Sequence, residues 1–501
     1  MTITSFRFLS LFALSIPIYY IIPKRIQWLA LLGFSAAFFA LSVPEPRTGV
    51  YLLVSALTAW ACARLIEAAR AKGRAGGAKL ALAAGILVNA GILAALKYNG
   101  FLIGNYNRLT GSAVALPDWA VPMGVSFYSF ALMGYLLDCC WGEVEAQKNP
   151  AKLCLYAGYY PILTSGPILS YRTMRQQLFE PHRFDYERVA FGMQRMLWGL
   201  FLKLVISGRL GTAVNAVYAE PEAYPGLFIW FAAGLFMLQL YTDFRGCMDI
   251  IAGASECYGV QLPENFRTPF FSRSVQEFWQ RWHITLGAFM RDYVFYPIAL
   301  SKPVSGLAAC FKKASPTFAK ALPAVIANLF VFLLVGLWHG INEHYVVWGL
   351  YNGVIIGMAV LLEPVSKALN RRFSFTSSQA FHVFRVLRTF LIVNIGWFFD
   401  RSASAGQAIA LLRSLGDFRP EQLTLDFLSG NGLSAESMII LIGSGVFLFV
   451  LSLMAERGAD IPEKLMQLPM PVRWTLIFVF VLCIVLFFDT GNTRTFMYAA
   501  F

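Results

Sequence analysis

The sequence predicts an all-α, polytopic transmembrane protein with about 11 spans plus re-entrant or interfacial helices, and three observations carry that expectation. Of 501 residues, 57% are hydrophobic and 14% are charged, whereas a soluble chain carries about 25% charged residues. The mean hydropathy is +0.59. Apolar stretches long enough to cross about 30 Å of hydrocarbon recur through the chain.

In order, these stretches lie near 5–23, 26–43, 50–66, 79–97, 119–137, 151–170, 225–241, 321–338, 345–362, 381–399, 438–455 and 473–489. The first ends in Tyr19-Tyr20 and Pro23-Lys24-Arg25 with no small-residue cleavage site, so it reads as a span and not as a cleaved leader. Segments near 188–206 and 275–299 are apolar but studded with charge, and read as interfacial or re-entrant helices. No internal repeat and no linker divides the sequence, so residues 1–501 are expected to form a single domain.

The formal charge of +13 comes from 41 Lys and Arg against 28 Asp and Glu. No basic run accompanies a polar domain, so nucleic acid is not the expected partner. The excess reads as topological, because cytoplasmic loops collect Lys and Arg, and anionic membrane lipid would attract them. The loop after the first span holds Lys24 and Arg25, and that after the third holds Arg64, Arg70, Lys72, Arg74 and Lys79. The intervening loop offers Arg47 against Glu45. This pattern predicts an N-terminus outside the cytoplasm. Eight cysteines are scattered without a C-x-x-C pair or a histidine at ligand spacing, so no metal site is expected.

Ionisable residues among apolar ones are costly in a membrane and mark function by default. Here they gather in the middle of the chain: Tyr241-Thr-Asp243-Phe-Arg245 through Asp249, Pro263-Glu264-Asn265-Phe266, Phe278-Trp279-Gln280-Arg281-Trp282-His283, and Gly336-Leu337-Trp338-His339-Gly340. His339 closes an apolar span and follows eighteen residues without charge. Imidazole takes a proton near neutral pH without a large shift, and Gly340 would let substrate approach closely. The residues alone leave two roles open for His339: a base, or a histidine that bonds a neighbouring helix. His283 is open in the same way, as a functional or an interfacial histidine. His182, His344 and His382 read as solvated or interfacial. Asp243 and Asp249, six residues apart, fall on different helix faces and read as members of structural pairs, Asp243 with Arg245 and Asp249 with another basic partner.

These blocks resemble the bacterial branch of the membrane-bound O-acyltransferase (MBOAT) family. The resemblance starts at Ser5-Phe6-Arg7-Phe8-Leu9 and Tyr19-Tyr20-Ile-Ile-Pro23. It continues through Gly124-Val125-Ser126-Phe127-Tyr128-Ser129-Phe130 with Asp138, and Gly166-Pro167-Ile168 with Tyr171 and Arg172. Its most specific part runs from Pro263-Glu264-Asn265-Phe266 through Glu277–His283 to Arg291-Asp292-Tyr293, followed by Gly336–Gly340, Trp348-Gly349 and Gly396-Trp397-Phe398-Phe399. The core of the motifs thus spans about 120–400. The chain departs from the family at Asn352, where a histidine is frequent, at Arg245, where a small residue is commoner, and in the middle of Phe496–Phe501.

The resemblance implies acyl transfer, with acetyl as the expected group, from a cytoplasmic thioester to a hydroxyl of an extracytoplasmic polysaccharide or relay protein of SGNH type. His339 would be the essential base and His283 the second polar residue of the site. Trp338, Gly340, Trp279, Arg281, Trp282, Asp243 and Asn265 would support them or bind substrate. The donor would be acetyl-CoA or the phosphopantetheine thioester of an acyl carrier protein, and no cofactor would be held permanently. The implied location is the bacterial cytoplasmic membrane. Two other readings stay open: D-alanyl transfer from a carrier protein to teichoic acid, and a transporter or flippase for a lipid-linked glycan, which would more often show matched broken helices in two related halves.

Overall fold

The computed structural model describes residues 2–43, 45–117, 119–417, 419, 424–430 and 433–488; the block Phe496–Phe501 lies outside them. The described residues are predominantly helical, and a lone bridge between Phe266 and Trp282 is the one β-type pairing among them. Ten helices are long and apolar enough to cross a membrane: Lys24–Ser42, Pro46–Ala71, Ala75–Lys97, Tyr186–Ala219, Gly226–Glu256, Pro316–His339, Glu343–Arg372, Gln379–Arg401, Ala435–Glu456 and Met470–Phe487. The shorter apolar helices Phe6–Ile21 and Val125–Trp141 occupy the stretches expected near 5–23 and 119–137. The protein is an all-α, multi-pass membrane protein.

Two segments differ from expectation. The stretch near 151–170 is no span, because it breaks into Pro150–Gly158 and Tyr160–Leu163. Pro161 has no N–H to continue the first helix and its ring clashes with the carbonyl four residues back, so the chain turns at Tyr159 and starts again. The segment near 188–206, expected at the interface, belongs instead to the long apolar helix Tyr186–Ala219. Its charges are answered by carboxylates: Arg188 on Glu256 at 2.8 Å, Arg195 on Asp249 at 3.0 Å and Lys203 on Asp243 at 2.5 Å. Pairing removes most of the penalty that an isolated charge would incur in hydrocarbon. Asp243 thus pairs with Lys203, and the Arg245 guanidinium donates to the Tyr241 hydroxyl at 2.6 Å.

The chain groups into two compact units, Met1–Leu200 with Cys247–Pro263, and Phe201–Gly246 with Glu264–Phe501. The interior of the first is rich in tyrosine. Tyr258 shares hydrogen bonds with Ser15 and, at 2.7 Å, with Tyr160, and the Tyr19 hydroxyl meets His182 Nδ1 at 2.9 Å. The second unit is built around a hairpin of Pro316–His339 and Glu343–Arg372. Gly349, Gly353 and Gly357 recur every fourth residue along one face of the returning helix and let the backbones meet closely. A Cβ on Gly349 would lie 2.4 Å from the Phe332 carbonyl oxygen, and one on Gly336 would lie 2.5 Å from that of Tyr345. This seam fixes where the end of the first helix, and with it His339, comes to rest.

Candidate active site

His339 is the last residue of its helix and is 5% exposed. Gly340 leaves the helix in an extended conformation, and its N–H still donates to the Gly336 carbonyl at 3.1 Å. Among the described residues, the imidazole packs against Trp338 at 4.9 Å, Trp348 edge-on at 5.2 Å, and Tyr345 nearly parallel at 6.1 Å between centroids. The space beside Gly340, expected to admit substrate, is occupied by Tyr345. A Cβ at position 340 would lie 2.5 Å from that ring. Gly340 serves the packing of Tyr345 against the histidine.

His283 reaches the same unit by a different route. The segment near 275–299 does break into short helices, Val275–Arg281, Ile284–Met290, Arg291–Phe295 and Tyr296–Ala299. His283 is the hinge between the first two, with left-handed backbone angles of φ 48° and ψ 52°. That region is rare for residues other than glycine and persists only where the surroundings impose it. Asn265 imposes it here. Its backbone carbonyl accepts from Ile284 N–H at 3.0 Å, and its Oδ1 accepts from the Thr285 N–H at 3.0 Å and the Thr285 hydroxyl at 2.9 Å.

The same Oδ1 lies 3.3 Å from His283 Nδ1. An amide oxygen only accepts, so the ring carries its proton on Nδ1 and presents a lone pair at Nε2. Burial pushes the imidazole pKa down to about 3, which keeps it neutral at physiological pH. The ring stands edge-on to Phe244 at 4.7 Å and 6.3 Å from Trp338, which also packs on His339. Trp338 thus touches both histidines.

The remaining expected residues sort by contact. Trp279 and Trp282 extend the aromatic wall: Trp279 meets Trp348 at 5.6 Å, Trp282 meets Trp397 at 5.5 Å, and Trp397 meets Trp348 at 6.1 Å. Arg281 is turned to other partners. It bonds Glu277 at 2.7 Å and both carboxylate oxygens of Glu456 at 2.7 and 3.1 Å, tying this segment to Ala435–Glu456. Asp243 is held by Lys203. His344, expected at a solvated or interfacial position, is buried, and its Nδ1 meets the Ser402 carbonyl at 2.8 Å.

Sequence reading missed one residue that holds the wall together. Asn352 accepts the Trp279 indole N–H at 3.1 Å and donates to the Trp348 carbonyl at 2.9 Å. Its signals were an amide set among apolar residues one turn after Trp348 and its place where the family more often has a histidine. The departure from a more frequent histidine leaves a side chain that both accepts and donates, so the indole keeps a partner.

An imidazole buried at the end of a membrane-spanning helix and surrounded by indoles and a phenol suits proton transfer in a water-poor setting. The class so defined is a polytopic membrane transferase. Residues 147–398 match the model of the membrane-bound O-acyltransferase family, and the chain belongs to that family; it is an O-acyltransferase. Among its relatives, a probable alginate O-acetylase of Pseudomonas syringae pv. tomato is 29% identical over 85% of this chain and 77% of its own length. The peptidoglycan O-acetyltransferase of Helicobacter pylori is 25% identical over 67% of this chain and 64% of its own. The teichoic acid D-alanyltransferase of Bacillus subtilis is 26% identical over a shorter 47% of this chain and 58% of its own.

Proposed function

We propose that this enzyme transfers an acetyl group from a cytoplasmic thioester to a hydroxyl of an extracytoplasmic polysaccharide, with His339 as general base. The single observation that carries the proposal is the burial of His339 at the end of an apolar span within its ring of Trp338, Trp348 and Tyr345. Relatives matched over 85% and 67% of the chain bear O-acetylase and O-acetyltransferase names, whereas the D-alanyltransferase match covers 47%. Acetyl-CoA and an acyl carrier's phosphopantetheine thioester present the same reacting carbonyl, so either serves the chemistry as donor. A relay protein of SGNH type would act downstream or as a partner in delivery.

An alcohol attacks poorly unless its proton leaves as the new bond forms. In this scheme His339 takes the acceptor's hydroxyl proton, the oxygen adds to the thioester carbonyl, and a tetrahedral oxyanion results. Its collapse expels the thiolate, which recovers the proton from the imidazolium, leaving an ester, a thiol and a neutral histidine. Hydrogen-bond donors count for most in a dry site, and the indole N–H groups of Trp338 and Trp282 are donors of that kind. His283, neutral and locked at Nδ1, positions a donor group at Nε2 and does not exchange protons in the cycle.

A positioned histidine base contributes about 10² to 10⁴ in rate. His339→Gln is expected to insert and purify like the parent, to bind the donor, and to lose acetyl transfer by at least about 10². Purified protein, a labelled acetyl thioester and a hydroxyl acceptor make the assay, and equal turnover in the two proteins would remove His339 as base. For location we propose the bacterial cytoplasmic membrane with the N-terminus outside, on the strength of the loop charges. In a cysteine-free background, Pro46→Cys is expected to react with a membrane-impermeant thiol reagent in intact cells, and Lys72→Cys to resist it. The reverse pattern would invert the topology.

A further inference from the structure

A cavity of about 390 Å³ lies beside the site in the second unit, lined by Tyr218, Tyr345, Asp400, Arg401, Ser402 and Gln407 among others. Its volume falls within the range of small-molecule sites, about 300–1,000 Å³. Asp400 is 7% exposed, and its Oδ1 has no hydrogen-bond partner among the described residues. The hydroxyls of Ser402 and Tyr218, also buried, have none either. Buried polar atoms are ordinarily satisfied, so three such groups around one cavity call for a ligand or solvent rich in hydrogen-bonding groups.

The cavity is one ring away from the proposed base. Tyr345 lines it and lies nearly parallel to His339 at 6.1 Å. The contact between His344 Nδ1 and the Ser402 carbonyl ties the cavity's edge to the start of the helix that bears Tyr345. Arg401 is held in place over the Tyr218 ring at 5.1 Å and by Asn215 Oδ1 at 2.9 Å.

We propose that this cavity is the acceptor subsite and that it takes a sugar ring, with Asp400 as the residue that positions it; the proposal rests on the acyl-transfer reading above. The two oxygens of a carboxyl group match the two O–H groups of a vicinal diol. Ser402, Tyr218 and Gln407 both donate and accept, so they complement the remaining hydroxyls and the ring oxygen. A lone serine side chain from a protein would satisfy one of these groups and leave the others dry. A sugar held here turns one hydroxyl past Tyr345 toward His339.

The test is acetyl transfer by the full-length protein from labelled acetyl-CoA to three probes: an oligouronate, a neutral hexose oligosaccharide and a serine-containing peptide. Asp400→Asn keeps the shape and removes the charge, and Ser402→Ala is a second variant that leaves Asp400 intact. The expected result is transfer to a saccharide by the wild type, with the acceptor KM raised about tenfold in each variant, as loss of one hydrogen bond to a charged or polar group predicts. The donor KM should change less than the acceptor KM, which separates a subsite from a general loss of folded protein. Unchanged acceptor KM in both folded variants, or transfer to the peptide and to neither saccharide, would overturn the subsite while leaving acyl transfer intact. Wild-type protein that transfers to no hydroxyl would overturn the acyl-transfer reading and the subsite together.

Discussion

The two histidines of the second unit are buried to nearly the same degree, 5% and 3% exposed, yet the chain delivers them in opposite ways. His339 arrives on the end of a regular 24-residue helix, held in place by a glycine seam and by ring contacts. His283 arrives on a left-handed hinge between two seven-residue helices, and its ring is bonded at Nδ1 by an amide that also holds the next residue. The acceptor at His283 Nδ1 dictates one tautomer there. A base must change its protonation state in every cycle, and a positioning group must not. Under the proposed function, the first task falls to His339 and the second to His283.

The largest effect that could break this assignment is the ratio of the two substitutions. His339→Gln should cost at least about 10² in turnover, and His283→Asn about tenfold, the worth of one hydrogen bond in the transition state. Comparable losses in the two would erase the distinction. Next in size is a pH effect. The folded-state pKa of His283 lies below its value of about 6.5 in an unfolded chain, so below pH 6.5 the unfolded state binds the extra proton. Stability should fall as pH drops from about 6.5 toward 3, by up to about 1.4 kcal/mol per pH unit. Thermal unfolding in detergent should show that slope in the wild type and a shallower one in His283→Asn. An identical slope in both would mean that the ring is not held neutral. The smallest effect on turnover is expected at Arg281. Arg281→Lys forfeits the two-pronged contact with Glu456, so yield and melting temperature should drop while turnover per folded molecule stays within about threefold. A folded, abundant and inactive variant would move Arg281 into the chemistry.

Much of this was legible in the sequence, because a membrane writes its demands on composition. Apolar runs located the His339 helix and the four membrane-length helices after it, and a histidine at a span's end singled out His339 itself. Of the two misread segments, the one near 151–170 was decided locally by Pro161, and the other by partners distant in sequence. Residues 186–219 form an apolar helix because Asp243, Asp249 and Glu256 answer Lys203, Arg195 and Arg188. A sequence displays those charges but not their pairing. Asn352 and Trp279 lie 73 residues apart, and Asn265 and His283 18 apart, and each pair joins different elements, where the period of a single helix or strand says nothing. Gly340 was visible as a glycine, but the ring that needs its missing side chain was not. Asp400 stood in plain view among aromatic residues, and only the cavity gives its isolation a meaning.

The left-handed hinge at His283 also determines how the position must be probed. Alanine at such a backbone is unfavourable by about 1–2 kcal/mol, while glycine is at ease there and asparagine nearly so. An alanine scan would therefore charge to the imidazole a loss that belongs partly to the main chain, and would rank position 283 too high. The side chain's own share is the difference between His283→Asn and the wild type, with His283→Gly reporting how much the fold gains when the constraint is lifted. Thr268, the other non-glycine residue with positive φ among the described residues, at 42°, is an internal control for that gain.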